Sequence, residues 1–336
     1  MKTLDFVINH KKEVQSILYD PEVNLILNQS KNLIKFEKKS YQIPQVIQEN
    51  LDYFVLNMPD ATWETFDSSK VRLTSEITKK SIEENDPIIL QKSSYFKDRL
   101  SNSIAKYKYQ KANQILNLHN EFIKTETNEV ITLNLSKLSN QLGASTLLFT
   151  KDNNITYLVQ GSRTTENRNR WAPSGSGSFD FFIPKEKMSF KDYCLIQAKR
   201  ELKEESNLKE KEILNIAICG FGRYIYRYGK PEIFCVATSS KMSDEIEIRA
   251  EEWDYQDRNE IRTFKIKGDI TKKNLLEKLH DFKLLLENTA TSTPLSNEFE
   301  QQVSGPLYWN VCFALDFFKA QPDEFIANFF SKKVKV

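Results

Sequence analysis

Apolar and polar positions follow two different periods along this chain, and the change of period marks its elements. Residues 145–150 and 155–161 are apolar-rich runs flanking the polar Lys151-Asp152-Asn153-Asn154, a pattern that predicts a β-hairpin. Gly and Ser residues at 174–178 lead into Phe179, Phe181, Phe182 and Ile183, read as a short strand stopped by Pro184. The period then lengthens. From Ser189 on, Phe190, Tyr193, Cys194, Ala198 and Leu202 recur at helical spacing, with Ser189 and Asp192 as a capping-box-like pair. Downstream, residues 213–226 and 233–238 predict a second hairpin around Gly229-Lys230-Pro231. Residues 260–266 read as another strand, 274–287 as an amphipathic helix, and 299–318 as mostly helical with a break at Gly305-Pro306.

The first third is less regular. Residues 24–27 and 33–36 are read as strands of a hairpin separated by the polar 28–32, and 46–54 has helical spacing. Residues 74–84 form a polar, charged segment, and 95–118 read as one or two helices. No repeat, low-complexity tract or chemical motif stands out there. Periodicity alone therefore supports an α/β or α+β chain. Length and the irregular first third suggest two domains, an α+β N-terminal one at 1–125 and a second beyond it, with a tail at 323–336.

Composition narrows the function classes. Lys plus Arg (48) nearly balances Asp plus Glu (46) in 336 residues, so net charge implies no nucleic-acid surface. Cys194, Cys219, Cys235 and Cys312 are far apart with no CxxC pair, which predicts buried thiols of a reducing compartment, without disulfides or zinc. His10, His119 and His280 form no local cluster. No apolar run is long enough to cross a bilayer, and charge interrupts the first residues before a signal could form. A cytoplasmic protein with no membrane partner is the expectation.

The chemistry concentrates in residues 200–208. On a helix Glu201, Glu204 and Glu205 share a face, where three carboxylates repel one another unless a cation sits among them. Such an all-oxygen cluster suits Mg²⁺ or Mn²⁺. Arg200, Glu201, Leu202, Glu204, Glu205 and Leu208 resemble the second half of the Nudix box, G-x5-E-x7-R-E-U-x-E-E-x-G-U, with U aliphatic. The first half departs: the spacing puts Asp192 where the family has Glu, and Glu186 where it has Gly. Asn207 replaces the final Gly, and Asn tolerates the left-handed conformation that ends a helix. Upstream, Tyr157 to Arg163 and then Trp171, Pro173, Gly175 and Gly177 resemble the family's Arg-containing strand and Trp-x-x-Pro-Gly-Gly-like turn, at a longer spacing from the box. The resemblance covers about residues 130–322.

By that resemblance the second domain is a Nudix-type α/β/α sandwich with a mixed sheet. Glu204 and Glu205 are then the principal ligands of Mg²⁺ (or Mn²⁺), Glu201 a supporting one, and Arg200 a salt-bridging residue that orients a box Glu. Asp192 either reaches metal through water or simply caps the helix. Arg163, Arg168 and Arg170 either recognise phosphate or form a solvated basic loop. Gly175 and Gly177 either bring backbone N–H groups to an anion or make a strand-entry turn. Glu251, Glu252 and Asp254 are either the general base or a solvated acidic loop. Trp253, Tyr255, Tyr224 and Tyr226 either stack a nucleobase or pack in the protein. The implied function is hydrolysis of a nucleoside diphosphate linked to another group, such as a nucleotide sugar, an ADP-ribose-like compound, a dinucleotide or a nucleoside triphosphate. A Nudix-like nucleotide sensor is the alternative, and a structural protein with a chance motif the third reading. The partner is a small-molecule nucleotide, with a homodimer possible.

Overall fold

Two strands whose residues are all buried form the middle of the structure. They are β10 (Gly143–Phe149) and β15 (Lys230–Ser239), paired in parallel from Gly143↔Glu232 to Phe149↔Thr238. A strand covered on both faces lacks a polar face, which is why these runs show weak alternation. The structure is a computed structural model that describes residues 1–8, 13–57, 67–105, 109–111, 114–116, 123–124, 129–160, 170–247, 260–266, 268–292 and 302–331.

β10 continues through the expected tight turn into β11 (Asn154–Val159), with Asn153 in the left-handed conformation (φ 61°). β11 pairs with β12 (Arg170–Ala172) and β16 (Glu260–Lys265), and β12 with β17 (Gln302–Val303) in parallel. β13 (Gly175–Ser178) runs antiparallel to the start of β10. On the other side, β15 pairs with the long β14 (Ile213–Tyr224) as the expected hairpin, and β14 with β2 (Glu13–Tyr19), which pairs β1 (Lys2–Ile8). The result is a mixed sheet of ten strands.

Side-chain alternation along β10 and β15 separates two cores. Ala144, Ile233 and Cys235 pack against Phe190, Tyr193, Cys194 and Ala198 of α6 (Phe190–Ser206). Leu147, Phe149, Phe234 and Val236 face the other way, onto α7 (Lys272–Ser292) and α8 (Gly305–Ala320). Helices on both faces of a mixed sheet make the expected α/β/α sandwich. All four cysteines are buried and unpaired, as their apolar neighbourhoods predict. Among the described residues no helix is long and apolar enough to cross a membrane.

Several expectations are corrected. Residues 24–27 are not a strand: Asp20 accepts the Glu22 N–H (2.9 Å), Pro21 opens the first turn, and α1 (Pro21–Ile26) follows. Short helices α2 (Gln45–Gln48) and α3 (Leu51–Asn57) fill the segment with helical spacing, and α4 (Lys79–Glu83) begins at a Thr78–Ser81 capping pair. Residues 95–118 hold α5 (Tyr95–Asp98), a π-helical turn (Arg99–Ser103) and the short strands β6 (Tyr109–Lys111) and β7 (Gln114–Leu116), rather than one or two full helices. A further ladder joins β8 (Ile123–Lys124) and β9 (Glu129–Val130). Gly305 and Pro306 do not break a helix but start α8, where Ser304 caps and Pro suits the first turn. The tail is α9 (Asp323–Phe329), anchored by the buried Ile326 and Phe329.

Two sets of strands from the first 125 residues join the second region. β1 and β2 extend its sheet, so hydrogen bonds cross the boundary drawn near residue 125. A small sheet of β3 (Ile34–Phe36), β5 (Ile88–Ser94) and β4 (Ser69–Leu73) is stitched to the segment ahead of α6. Val71 N–H donates to Phe179 O (3.0 Å), Phe181 N–H to Ser69 O (3.1 Å) and Ile34 N–H to Met188 O (3.1 Å). The short strand expected at 179–183 does not form: the strand ends at Ser178, Phe179 N–H still donates to Leu142 O (2.9 Å), and beyond it a single bridge joins Asp180 to Lys70 of β4.

Candidate active site

The box helix α6 starts where the sequence places it. Ser189 Oγ accepts the Asp192 N–H (3.0 Å) and donates to Asp192 Oδ2 (2.6 Å), so Asp192 serves as a cap residue. Asn207 ends the helix in the left-handed conformation (φ 52°), the role its substitution for Gly requires. Between these ends the apolar stripe binds α6 to β10 and β13, and fixes which way the charged residues point.

Gly175 and Gly177 allow a close approach of α6 to β13. A Cβ at Gly175 would lie 2.6 Å from Leu202 Cα, and one at Gly177 would collide with the Glu201 carboxylate. Gly177 thus makes room for Glu201, which is 7 % exposed. Arg200 gathers the acids. Its guanidinium contacts Glu201 Oε1, Glu204 Oε2 (2.8 Å) and Asp180 Oδ2 (3.0 Å), and donates to Ser178 O (3.1 Å). Lys70, on β4, pairs with Asp180 Oδ1 at 2.6 Å. Gln197 locks the frame: its amide donates to Asp180 O (2.6 Å), and its Oε1 accepts from Asp180 N–H and Arg200 Nε, both at 3.2 Å. Glu205 Oε2 accepts the Ser176 N–H (2.8 Å), a group on the side of β13 turned away from β10.

The electrostatics follow from this crowding. Burial pushes the Glu201 carboxyl up to about 7, against the opposing pull of Arg200 and Lys70, while Glu204 and Asp180 add to the rise. For Arg200, burial favours loss of the proton, but Glu201, Asp180 and Glu204 outweigh it and the net shift is upward.

Arg200, Glu201 and Glu204 thus meet at one point, and Glu205 reaches the same strand two residues before Ser178. The three box glutamates do not themselves converge. Among the described residues, no three Asp, Glu, His or Cys side chains form a set that would hold an ion, because Arg200 draws two of the carboxylates to itself. Arg170 opens β12, where its carbonyl accepts the Gln160 N–H (3.0 Å). Arg163, Arg168, Glu251, Glu252, Trp253, Asp254 and Tyr255 lie outside the described residues. Tyr224 is buried with its ring tilted against Trp309 (5.2 Å between ring centroids), and the half-buried Tyr226 packs on both.

Sequence reading missed Asp180, Gln197 and Lys70. Gln197 had a signal, since it lies three residues before Arg200 on the same helical face. Asp180 and Lys70 had none: 110 positions separate them, and only the docking of β4 brings them together.

No family model matches the chain, and no curated protein matches it. Solved structures do align with it. The MutT protein from Methanosarcina mazei Go1 is 15% identical at a TM-score of 0.28, over 54% of this chain and 96% of that one. The Nudix hydrolase RenU from M. smegmatis is 13% identical at a TM-score of 0.26, over 47% and 91%. A bifunctional NMN adenylyltransferase/ADP ribose pyrophosphatase from Francisella tularensis, complexed with AMP and Mn ion, is 16% identical at a TM-score of 0.26, over 44% and 42%. The residues of the α6 helix resemble the second half of the Nudix box, and helices cover both faces of the mixed sheet.

Proposed function

We propose that this chain is a divalent-cation-dependent hydrolase that cleaves the diphosphate linkage of a small nucleotide compound. The observation that carries the reading is the Arg200 cluster: three carboxylates around one guanidinium, with Glu205 beside them on the edge of β13. In this reading Glu204 and Glu205 hold Mg²⁺ or Mn²⁺, and Glu201 supports them from one turn earlier.

The donor atoms are of the right kind for such an ion, but among the described residues the three glutamates do not close a set around one point. Their donors are hard carboxylate oxygens, the kind Mg²⁺ and Mn²⁺ prefer. Burial, against the pull of Arg200, pushes the Glu201 carboxyl up to about 7. A divalent cation held by Glu204 and Glu205 would neutralise phosphate oxygens and lower the pKa of a coordinated water. Arg200 keeps the Glu204 and Glu201 carboxylates oriented, as a guanidinium fork does well. Lys70 neutralises the outer oxygen of Asp180, and Gln197 fixes the backbone that carries it. Gly177 keeps the Glu201 carboxylate against β13.

The test incubates the protein with Mg²⁺ or Mn²⁺ and a panel of nucleoside diphosphate compounds, resolving products by chromatography. Cleavage that depends on the cation and falls to background in Glu204→Gln and Glu205→Gln supports the reading. Stabilisation of the fold by a nucleotide, with no cleavage in any arm, replaces it with a nucleotide sensor.

A further inference from the structure

A cavity of ≈ 320 Å³ lies between the first third of the chain and α8, and it shares no residue with the Arg200 cluster. Asn24 and Leu25 of α1 form one side, Phe313 and Phe317 of α8 the other, and Cys219 of β14 joins them.

The docking of α1 creates this space. β2 pairs with β14 only over Gly222–Tyr224. Next to that ladder two asparagines take over the edge of the strand: Phe221 N–H donates to Asn24 Oδ1 (2.8 Å), and Ile218 N–H to Asn28 Oδ1 (3.0 Å). Between those anchor points the register of β14 against β15 shifts, at Cys219. Gly220 then lets Phe313 lie against the strand, since a Cβ there would sit 2.7 Å from its ring. Tyr19 tilts against the same ring at 5.2 Å.

One group in this lining is left over. Asn24 is only 9 % exposed, and the Phe221 N–H fixes its amide, so that Oδ1 is the acceptor and Nδ2 the donor. Nδ2 is buried and has no hydrogen-bond partner among the described residues. Native proteins pair nearly all buried donors, so an orphan beside a cavity points to an acceptor supplied from outside. The other buried residues of the lining, Cys219, Phe313 and Phe317, offer sulfur and aromatic carbon. Charge is confined to the exposed rim, where Asp316 and Lys319 stand three residues apart with opposite signs. Such a lining disfavours an ion and suits a neutral body, because an unpaired charge is costly to bury. At ~30 Å³ per water the space is that of about ten waters, enough for one or two fused rings.

We infer that this cavity is a binding site for a neutral aromatic compound of one or two rings, whose acceptor atom (a ring nitrogen or a carbonyl oxygen) takes the Asn24 Nδ2–H while the rings pack between Leu25 and the two phenylalanines. The inference uses no step of the diphosphate-hydrolase reading. A ring held there bridges α1 and α8, and so fastens the first third of the chain to the helical layer behind the sheet. That gives residues 19–25 a ligand-binding role.

The experiment uses the full chain and two probes of the same shape: quinoline, whose ring nitrogen accepts a hydrogen bond, and naphthalene, which has no such acceptor. Binding is followed by heteronuclear NMR of the side-chain amides, the Asn24 signals being those absent from Asn24→Asp. That substitution keeps an oxygen for the Phe221 N–H and removes the donor. Leu25→Trp fills the cavity from a position that is 52 % exposed, so it spares the core. Quinoline is expected to shift the Asn24 amide signals and to bind at least about fivefold tighter than naphthalene. Asn24→Asp removes that preference, and Leu25→Trp abolishes binding of both probes. Equal affinity for the two probes, no binding of either, or quinoline binding that leaves the Asn24 signals in place or survives Leu25→Trp overturns the inference. If Asn24→Asp does not fold, the quinoline-to-naphthalene ratio in wild type and its loss in Leu25→Trp decide. Because the readout is binding and not cleavage, a failure of the hydrolase reading leaves this test intact.

Discussion

Two ion-pair clusters flank β13, and they are built on opposite terms. The Arg200 cluster sets three carboxylates against one guanidinium and one lysine, within reach of solvent. The Lys230 cluster sets one carboxylate against one ammonium, almost wholly buried. Excess negative charge is what a cation site requires, whereas a balanced, sealed pair is a rigid fixture. The difference also decides what mutation does: the first cluster tolerates loss of an acid, the second does not tolerate loss of either partner.

The largest effect expected from this contrast is in the sealed pair. Lys230→Met leaves Glu232 buried without its cation and should cost about 3–5 kcal/mol, read by denaturant unfolding. Glu201→Gln should do the opposite. In protein stripped of metal with EDTA, Glu201 titrates near 7 rather than in the ordinary carboxylate range. The folded state then retains a proton that the unfolded chain releases. Its contribution therefore favours folding at low pH and is lost as pH rises from about 4.5 to about 7. Relative to wild type, Glu201→Gln should gain stability across that window, on the order of 2 kcal/mol by pH 8. A flat difference across the window would show that the charge around Glu201 is already balanced.

Smaller effects sharpen the comparison within the first cluster. Gly177→Ala places a methyl on the Glu201 carboxylate and should cost about 1–3 kcal/mol, with a larger loss of activity than of stability. Lys70→Met acts through Asp180 and Arg200, so it should lower kcat about tenfold with little change in KM, and Lys70→Arg should restore part of it. Equal loss in both Lys70 variants would mean that β4 matters only for packing. The smallest change is Asn207→Gly, which restores the family residue at a left-handed position; stability should move by less than about 0.5 kcal/mol.

The structure reads back on the sequence unevenly, for reasons that differ by element. Helix α6 and its cap were visible because the residues that specify a helix lie within one or two turns of one another. The hairpins β10–β11 and β14–β15 were visible for the same reason, through short turns between apolar runs. Residues 24–27 were misread because four apolar-rich positions do not distinguish strand from helix, and the Asp20-Pro21 start decided it. Residues 179–183 look like a short strand, but after Phe179 they leave the β10 side for a single bridge to β4, and nothing local announces that.

By itself the sequence determined the box helix with its two ends, the acidic residues along it, and the burial of the cysteines. Each is a short-range property, fixed by helical period, side-chain size or composition. Only the tertiary structure decided that Asp180 would join Arg200, that Lys70 would reach Asp180 from the first third of the chain, and that Ser145 would meet the Lys230–Glu232 pair. Those contacts join residues far apart in sequence, up to 110 positions for Lys70 and Asp180, and the pairing of elements, not sequence proximity, sets which of them meet. Chain connectivity encodes the faces of an element; the pairing of elements, settled by burial and backbone hydrogen bonding over the whole fold, chooses their partners.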